Sequence, residues 1–362
     1  MSQYIVCVQS FFKPFEKGKD RKTRSNSNSQ NEYGDAVKNI LIQFTQIVIK
    51  SYSCIPNSDE LRKDSITFVH KVVYILGEHI LKELNPALQI YIQYLNANNC
   101  VLTLQVITNI VIQLRRSVIP ILDTTFYPLF EAISNILASF DNNRINTIGN
   151  SGYEQEKISK LDIERHFYTL LLKIFQCGCC QIFLSNQNAP HFDKVISCIL
   201  NGCIIRSDSD VSVYKACFSI LKEMLIAIKS NHPSMKELYC NKVLKLSFDF
   251  GLHPNYKEAN PDYDRTLKIH IFGIHHHMFK IFGVDVITNC IGTYLVTQCN
   301  VDTNTARKYC ELCVQGNQTR KLRDMVLSIR SMAQFNELNT GNLQTQNNLN
   351  GTHTNNYQYN NL

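Results

Sequence analysis

Residues 208–229 read DSDVSVYKACFSILKEMLIAIK. Tyr214, Cys217, Leu221, Met224–Leu225 and Ile228 recur at three- and four-residue intervals, the spacing of one face of an α-helix. Asp208, Ser209 and Asp210 precede the run as a cap cluster, since short polar side chains accept hydrogen bonds from the free N–H groups of a first turn. Lys215, Lys222 and Lys229 follow one side of the same helix, beside the apolar stripe, at intervals of about 10.5 Å. The stripe reads as core. The lysine ridge reads either as a plain solvated face or as a surface that holds an acidic partner.

The same pattern extends outward in both directions. From about Asp35 to Phe335, amphipathic stretches of about 12–22 residues alternate with short breaks. LRKDSITFVHKVVYILGEHILKEL (61–84) places Val69, Val72, Leu76 and Ile80 on one face, and Asn85–Pro86 then reads as a cap with proline in the first turn of the next helix. TTFYPLFEAISNILASF (124–140) carries Phe130, Ile133 and Ile136–Leu137 at like spacing. Strand-like alternation bounded by hairpin turns is missing, so the chain is expected to be all-α. About a dozen helices, each with one wide apolar face, suit a stack of helix pairs, an α-solenoid of HEAT-like repeats with a period of about 40–47 residues. A large irregular helical bundle is the alternative architecture.

Three polar segments frame this array. Residues 1–34 are polar and basic: within 13–24, Lys13, Lys17, Lys19, Arg21, Lys22 and Arg24 face only Glu16 and Asp20, which reads as a flexible arm. Residues 141–159, DNNRINTIGNSGYEQEKIS, are expected to form a mobile loop inside the array at 35–335. Residues 336–362 are Asn-rich and hold no Lys or Arg, so this tail is expected to be disordered and to contribute no contact with a polyanion.

Composition narrows the function classes. Hydrophobic residues make up 44% of the 362, enough for an extensive core, and the formal charge is +7. That balance favours acidic partners without naming one. No stretch of about 18 apolar residues is apparent and no signal peptide opens the chain, so no membrane insertion is expected. Many of the 14 cysteines, Cys198, Cys203, Cys217 and Cys290 among them, fall inside apolar helical patterns, as free thiols in a reducing compartment do.

Chemistry-bearing constellations are weak. Cys310 and Cys313 form a lone C-x-x-C and Cys177, Cys179 and Cys180 form CGCC, but no second pair stands at the spacing a structural zinc needs. His270, His275, His276 and His277 lie in an apolar helix, and three consecutive histidines point around a helix in different directions, so packing explains them better than a shared ion. Neither a glycine-rich phosphate loop nor a nucleophile elbow is present, and no nucleophile is matched with a base. The chain is expected to be no enzyme and to need no cofactor or metal.

The basic ridges carry more information. Besides Lys215, Lys222 and Lys229, Arg320, Arg323 and Arg330 share one ridge while Leu322, Met325–Val326 and Ile329 share another, and Arg115 and Arg116 close a helix where the dipole favours positive charge. A single ridge is usually a solvated face. Several lining one concave wall would follow a phosphate backbone without reading bases.

Three stretches then support a family resemblance: FVHKVVYILGEHILKELNPALQIYI (68–92), NIVIQLRRSVIPILDTTFYPLFEAISNIL (109–137) and VISCILNGCIIRSDSDVSVYKACFSILKEML (195–225). In order and spacing they resemble successive segments of exportin-T, the transfer-RNA exporters among the karyopherin-β nuclear transport receptors. The resemblance covers most of 60–330 and weakens after about Phe250. It implies a HEAT-repeat superhelix that wraps tRNA together with GTP-bound Ran and meets nuclear pore proteins. It also implies shuttling between nucleus and cytoplasm, and cargo release when Ran hydrolyses GTP. The stretch looks like the carboxy-terminal part of such chains, and their main Ran-binding region has no counterpart here. The competing reading is a helical-repeat scaffold for protein partners, without RNA binding.

Overall fold

The structure, a computed structural model, describes residues 29–55, 58–144, 152–205, 210–228, 234–253, 256 and 260–332. Of the segment expected to be flexible at 1–34, residues 1–28 lie outside them, as do 336–362 and Lys229, whereas residues 29–34 are helical. Among the described residues every regular element is helical, and the chain divides into two compact units, Met1–Lys229 and Ser230–Leu362.

The first unit contains α1 (Ser29–Cys54), α2 (Asp59–Leu76), α3 (Leu81–Gln93), α4 (Ala97–Leu114), α5 (Ile119–Arg144), α6 (Gly152–Gln176), α7 (Phe192–Gly202) and α8 (Val211–Ile228). They form two rows. Helices α2, α4, α6 and α8 pack side by side in one; α1, α3 and α5 form the other. Within a row the helices run the same way. The starts of α2 and α4 meet the middle of α6 around one cavity lined by Asp59, Arg62, Asn98 and Asp162. Further along, Gln105 of α4 bonds His166 of α6 at 2.9 Å, and Arg165 and Tyr168 of α6 lie beside Asp210 and Cys217 at the start of α8. This is the arrangement of stacked helix pairs, with each helix burying its stripe against the row opposite and its flanks against neighbours.

The caps follow the side-chain chemistry. Ser58 accepts from Leu61 N before α2, and Asn96 forms a reciprocal capping box with Asn99 before α4. The sequence places one break wrongly. Pro86 stands inside α3, not at its start; the chain turns earlier, at Gly77, with φ +59 and ψ −127, a conformation that glycine reaches without a Cβ clash. Arg115 adopts nearly the same angles, +49 and −125, at the end of α4. Each leads into a 3₁₀ turn, Gly77–Ile80 and Arg115–Val118, so these two turns repeat as the helix pairs do.

Row-one helices begin at residues 59, 97, 152 and 211, so the interval between pairs is not the constant period expected. Both ends of the expected loop at 141–159 are helical: α5 continues to Arg144 and α6 starts at Gly152, with 145–151 outside the described residues. Glu, Gln and Lys in YEQEKIS are good helix formers whatever their polarity. A window within Ala97–Phe140 is long and apolar enough to cross a membrane by composition alone; more than half of it is buried within the first unit.

The second unit contains α9 (Ser234–Glu237), a π-helical turn (Leu238–Val243), α10 (Leu244–Leu252), α11 (Pro261–Arg265), a second π-helical turn (Thr266–Ile271), α12 (Phe272–Phe282), α13 (Val284–Gln298), α14 (Thr303–Gln315) and α15 (319–332). Helices α12, α13 and α14 pack on one another. At their centre His275 is fully buried, with Nε2 2.7 Å from Ser247 Oγ and Nδ1 2.9 Å from Tyr309 OH. Burial holds its pKa down at about 3, so the ring is neutral and acts as a polar strut in the core. His276 bonds the Cys313 carbonyl through Nδ1 at 2.8 Å. Cys310 and Cys313 are themselves buried.

Candidate nucleic-acid interface

Helix α8 settles the reading of its own stripe. Tyr214, Cys217, Leu221, Met224, Leu225 and Ile228 are all buried, as are Phe218 and Ile220 on the flank. Cys217 packs so closely on Gly202 of α7 that a Cβ there would lie 2.5 Å from its sulfur. Burial pushes the Cys217 thiol well up, which makes it inert core. With so wide an apolar face, α8 leaves Lys215 and Lys222 only a narrow outer strip, where both are half-buried. Lys222 lies 3.7 Å from Glu223, whose charge offsets part of its field.

Arg115 and Arg116 are the more open pair. Both are exposed in the turn between α4 and α5. That turn is pinned from below, because the Cys179 thiol donates to the Arg115 carbonyl at 3.2 Å. Cys179 is fully buried, and burial pushes its pKa up to about 11, with Cys177 and Cys180 adding to the rise and Arg116 opposing it. The Arg116 guanidinium lies over Gly178, where a Cβ would come 3.0 Å from Nε, so the end of α6 has no side chain that would displace it. CGCC is therefore the seat of an arginine pair. Among the described residues no group of three or more His, Cys, Asp or Glu side chains is placed to hold a metal ion.

The arginines of α15 separate. Arg320 is exposed. Arg323 is turned inward to Asp264, and Arg330 lies over the Tyr256 ring at 5.6 Å. The ridge expected to present three charges outward presents one; the other two pack within the second unit. The sequence does not separate these roles, since all three arginines sit at the same helical phase and the acid and the ring come from residues some 60–75 positions away.

One group escaped the sequence reading altogether. Tyr127 of α5 stacks on His191 with ring centres 3.5 Å apart and 11° between planes, and Lys194 of α7 reaches over the same tyrosine, Nζ 3.3 Å from its hydroxyl. A basic side chain beside stacked rings is a surface on which unpaired bases can lie. Only folding assembles it, because Tyr127 and His191 are distant in sequence.

The family model for exportin-T matches residues 2–333. The chain belongs to the exportin-T family. This member is similar to exportin-T of Dictyostelium discoideum, 19% identical over 286 residues, covering 77% of the chain and 25% of that protein. It is 23% identical to exportin-T of Mus musculus over 207 residues and 22% identical to that of Homo sapiens over 205, covering 57% of the chain and 20% of each relative. The chain thus spans about a quarter or less of the length of the relatives it matches. The family match continues well past Phe250, where the resemblance in the quoted segments fades. No solved structure matches the chain.

Proposed function

We propose that the chain is the tRNA-binding portion of a nuclear export receptor that carries tRNA from nucleus to cytoplasm with GTP-bound Ran and shuttles between the two compartments. The family match over residues 2–333 carries this reading. The first unit supports it physically: an exposed Arg115–Arg116 pair, with Lys215, Lys222 and the Tyr127–His191–Lys194 group as further candidate contacts, suits a folded polyanion held by its backbone, and exposed Arg320 is a separate candidate contact of the second unit. The receptor itself needs no catalytic centre or cofactor in this scheme, since the nucleotide chemistry belongs to Ran.

The test is a mobility shift with folded tRNA at two salt concentrations, comparing the native chain with an Arg115→Glu/Arg116→Glu variant and a Lys215→Glu/Lys222→Glu variant. Loss of two phosphate contacts lowers the slope of log affinity against log salt by about 1.5. Unchanged affinity and slope in both variants would remove these residues from the interface.

A second reading, a scaffold for protein partners, is favoured by α1. Val37, Ile40 and Ile47 recur along one face of that helix and are 36%, 63% and 51% exposed. Isolated exposed apolar residues are ordinary, whereas a helical stripe is a surface that a partner helix covers. Absence of any tRNA shift at low salt, with a protein partner bound along this stripe, decides for the scaffold.

A further inference from the structure

Two cysteines of the second unit meet where the helix is irregular. Cys240 stands in the π-helical turn Leu238–Val243, and Cys290 stands on α13, which packs against that turn. The Cys290 thiol donates to the Cys240 backbone carbonyl oxygen at 3.6 Å, which brings it near enough to the Cys240 thiol for the two to interact. Both are half-buried, so a small solute can reach them while bulk solvent does not flood the pair. π-Helical turns widen the backbone locally and recur at functional sites.

The two thiols are unequal. The interaction with the Cys290 thiol draws the Cys240 pKa down to about 7 against the effect of burial, and Lys236 one turn earlier adds to the fall. Cys290 is pushed upward by the same interaction, so the proton rests on it. Cys100, Cys299 and Cys310 all go the other way, to about 12, 11 and 11, because burial acts on them without such a donor. A thiolate beside a protonated partner is the pairing that peroxide-reactive dithiols use.

We infer that Cys240 and Cys290 form a hydroperoxide-sensitive modification site, with Cys240 as the attacking thiol and Cys290 as the resolving one. The Cys240 thiolate attacks one oxygen of hydrogen peroxide; the O–O bond breaks, Cys240 becomes a sulfenic acid, and hydroxide leaves. The Cys290 sulfur then attacks the sulfenic sulfur, its proton leaves with the hydroxyl group as water, and the S–S bond forms. Two electrons pass from the thiol pair to one peroxide. The product ties α13 covalently to the π-helical turn, and a thiol reductant reverses it.

The experiment uses the full reduced chain, treated with hydrogen peroxide and mapped by alkylation and peptide mass spectrometry. The expected product is an intramolecular Cys240–Cys290 disulfide. Alkylation at pH 7 is expected to proceed at least tenfold faster at Cys240 than at Cys299, a comparison that needs no variant. Cys290→Ser is expected to accumulate a dimedone-trappable sulfenic acid at Cys240. Equal alkylation at the two positions, or oxidation that leaves Cys240 and Cys290 unlinked, overturns the assignment.

Discussion

Arg323 Nε and Asp264 Oδ1 lie 2.5 Å apart, joining α15 to α11 across the second unit. The same carboxylate receives Lys268 Nζ at 2.7 Å on its other oxygen. Both members of the arginine pair are about a quarter exposed, so water screens the attraction only in part. Truncating Arg323 to alanine is expected to lower unfolding free energy by about 1 kcal/mol, as for a partly exposed ion pair. Arg320→Ala, on the exposed side of the same helix, is expected to leave it unchanged. Urea denaturation separates the two, and equal effects would show that Arg323 is not structurally engaged.

His275 makes the second unit sensitive to acid. Its folded pKa is about 3, below the ordinary 6.5, because burial disfavours the charged ring. The unfolded chain therefore binds the proton first. Stability from this residue is complete above about pH 6.5 and drains away as the pH falls towards 3, at about 1.4 kcal/mol per pH unit. His275→Phe removes the titration along with the bonds to Ser247 and Tyr309. Its starting stability is expected to be lower and its pH slope between 6 and 5 flatter by about one proton. A slope identical to the native protein's would mean that the ring is hydrated rather than buried.

Gly316 ends α14 at φ +74, the left-handed region, and its missing Cβ leaves room for His276. A methyl group there would come 2.3 Å from His276 Cε1. Gly316→Ala thus meets both backbone strain and a collision with a ring fixed on the Cys313 carbonyl. The expected loss is about 2 kcal/mol or more, read as a fall in the thermal midpoint. Gly283, at φ +95 and ψ +151 with open space where its Cβ would point, is the contrasting case: alanine there meets no collision, only the backbone strain of a region that L-residues avoid more strongly than the left-handed one.

Helix class and the buried stripes were legible because periodicity reports directly on burial: Val69, Val72, Leu76 and Ile80 of the quoted stretch are all buried, as the spacing requires. The turn at Gly77 was harder, since a glycine inside an apolar run also occurs in unbroken helices, and Pro86 is the louder local signal. The site was legible only in part. Helical phase shows that Arg320, Arg323 and Arg330 lie on one ridge, yet what decides their roles is whether an acid or a ring from another element stands opposite. That information is tertiary. Arg115 illustrates the point from the other side, because nothing in RRSV announces a backbone angle that normally calls for glycine.

That angle makes a prediction in which stability and binding part. Gly77 and Arg115 occupy equivalent turns with nearly the same φ and ψ, and only the first is a residue without a Cβ. An L-residue held at φ +49 is strained, by on the order of 1–2 kcal/mol, and glycine recovers part of this while adding entropy to the unfolded chain. Arg115→Gly is therefore expected to stabilise the first unit by about 0.5–1 kcal/mol. The Cys179 bond to the residue 115 carbonyl survives the change, so the turn keeps its seat. If the arginine contacts a phosphate of bound tRNA, the same substitution lowers the salt slope of binding by about 0.8. A raised thermal midpoint with a reduced slope supports a strained residue retained for its charge. A raised midpoint with an unchanged slope would remove Arg115 from the tRNA contact, and a lowered midpoint would mean that the arginine side chain itself braces the turn.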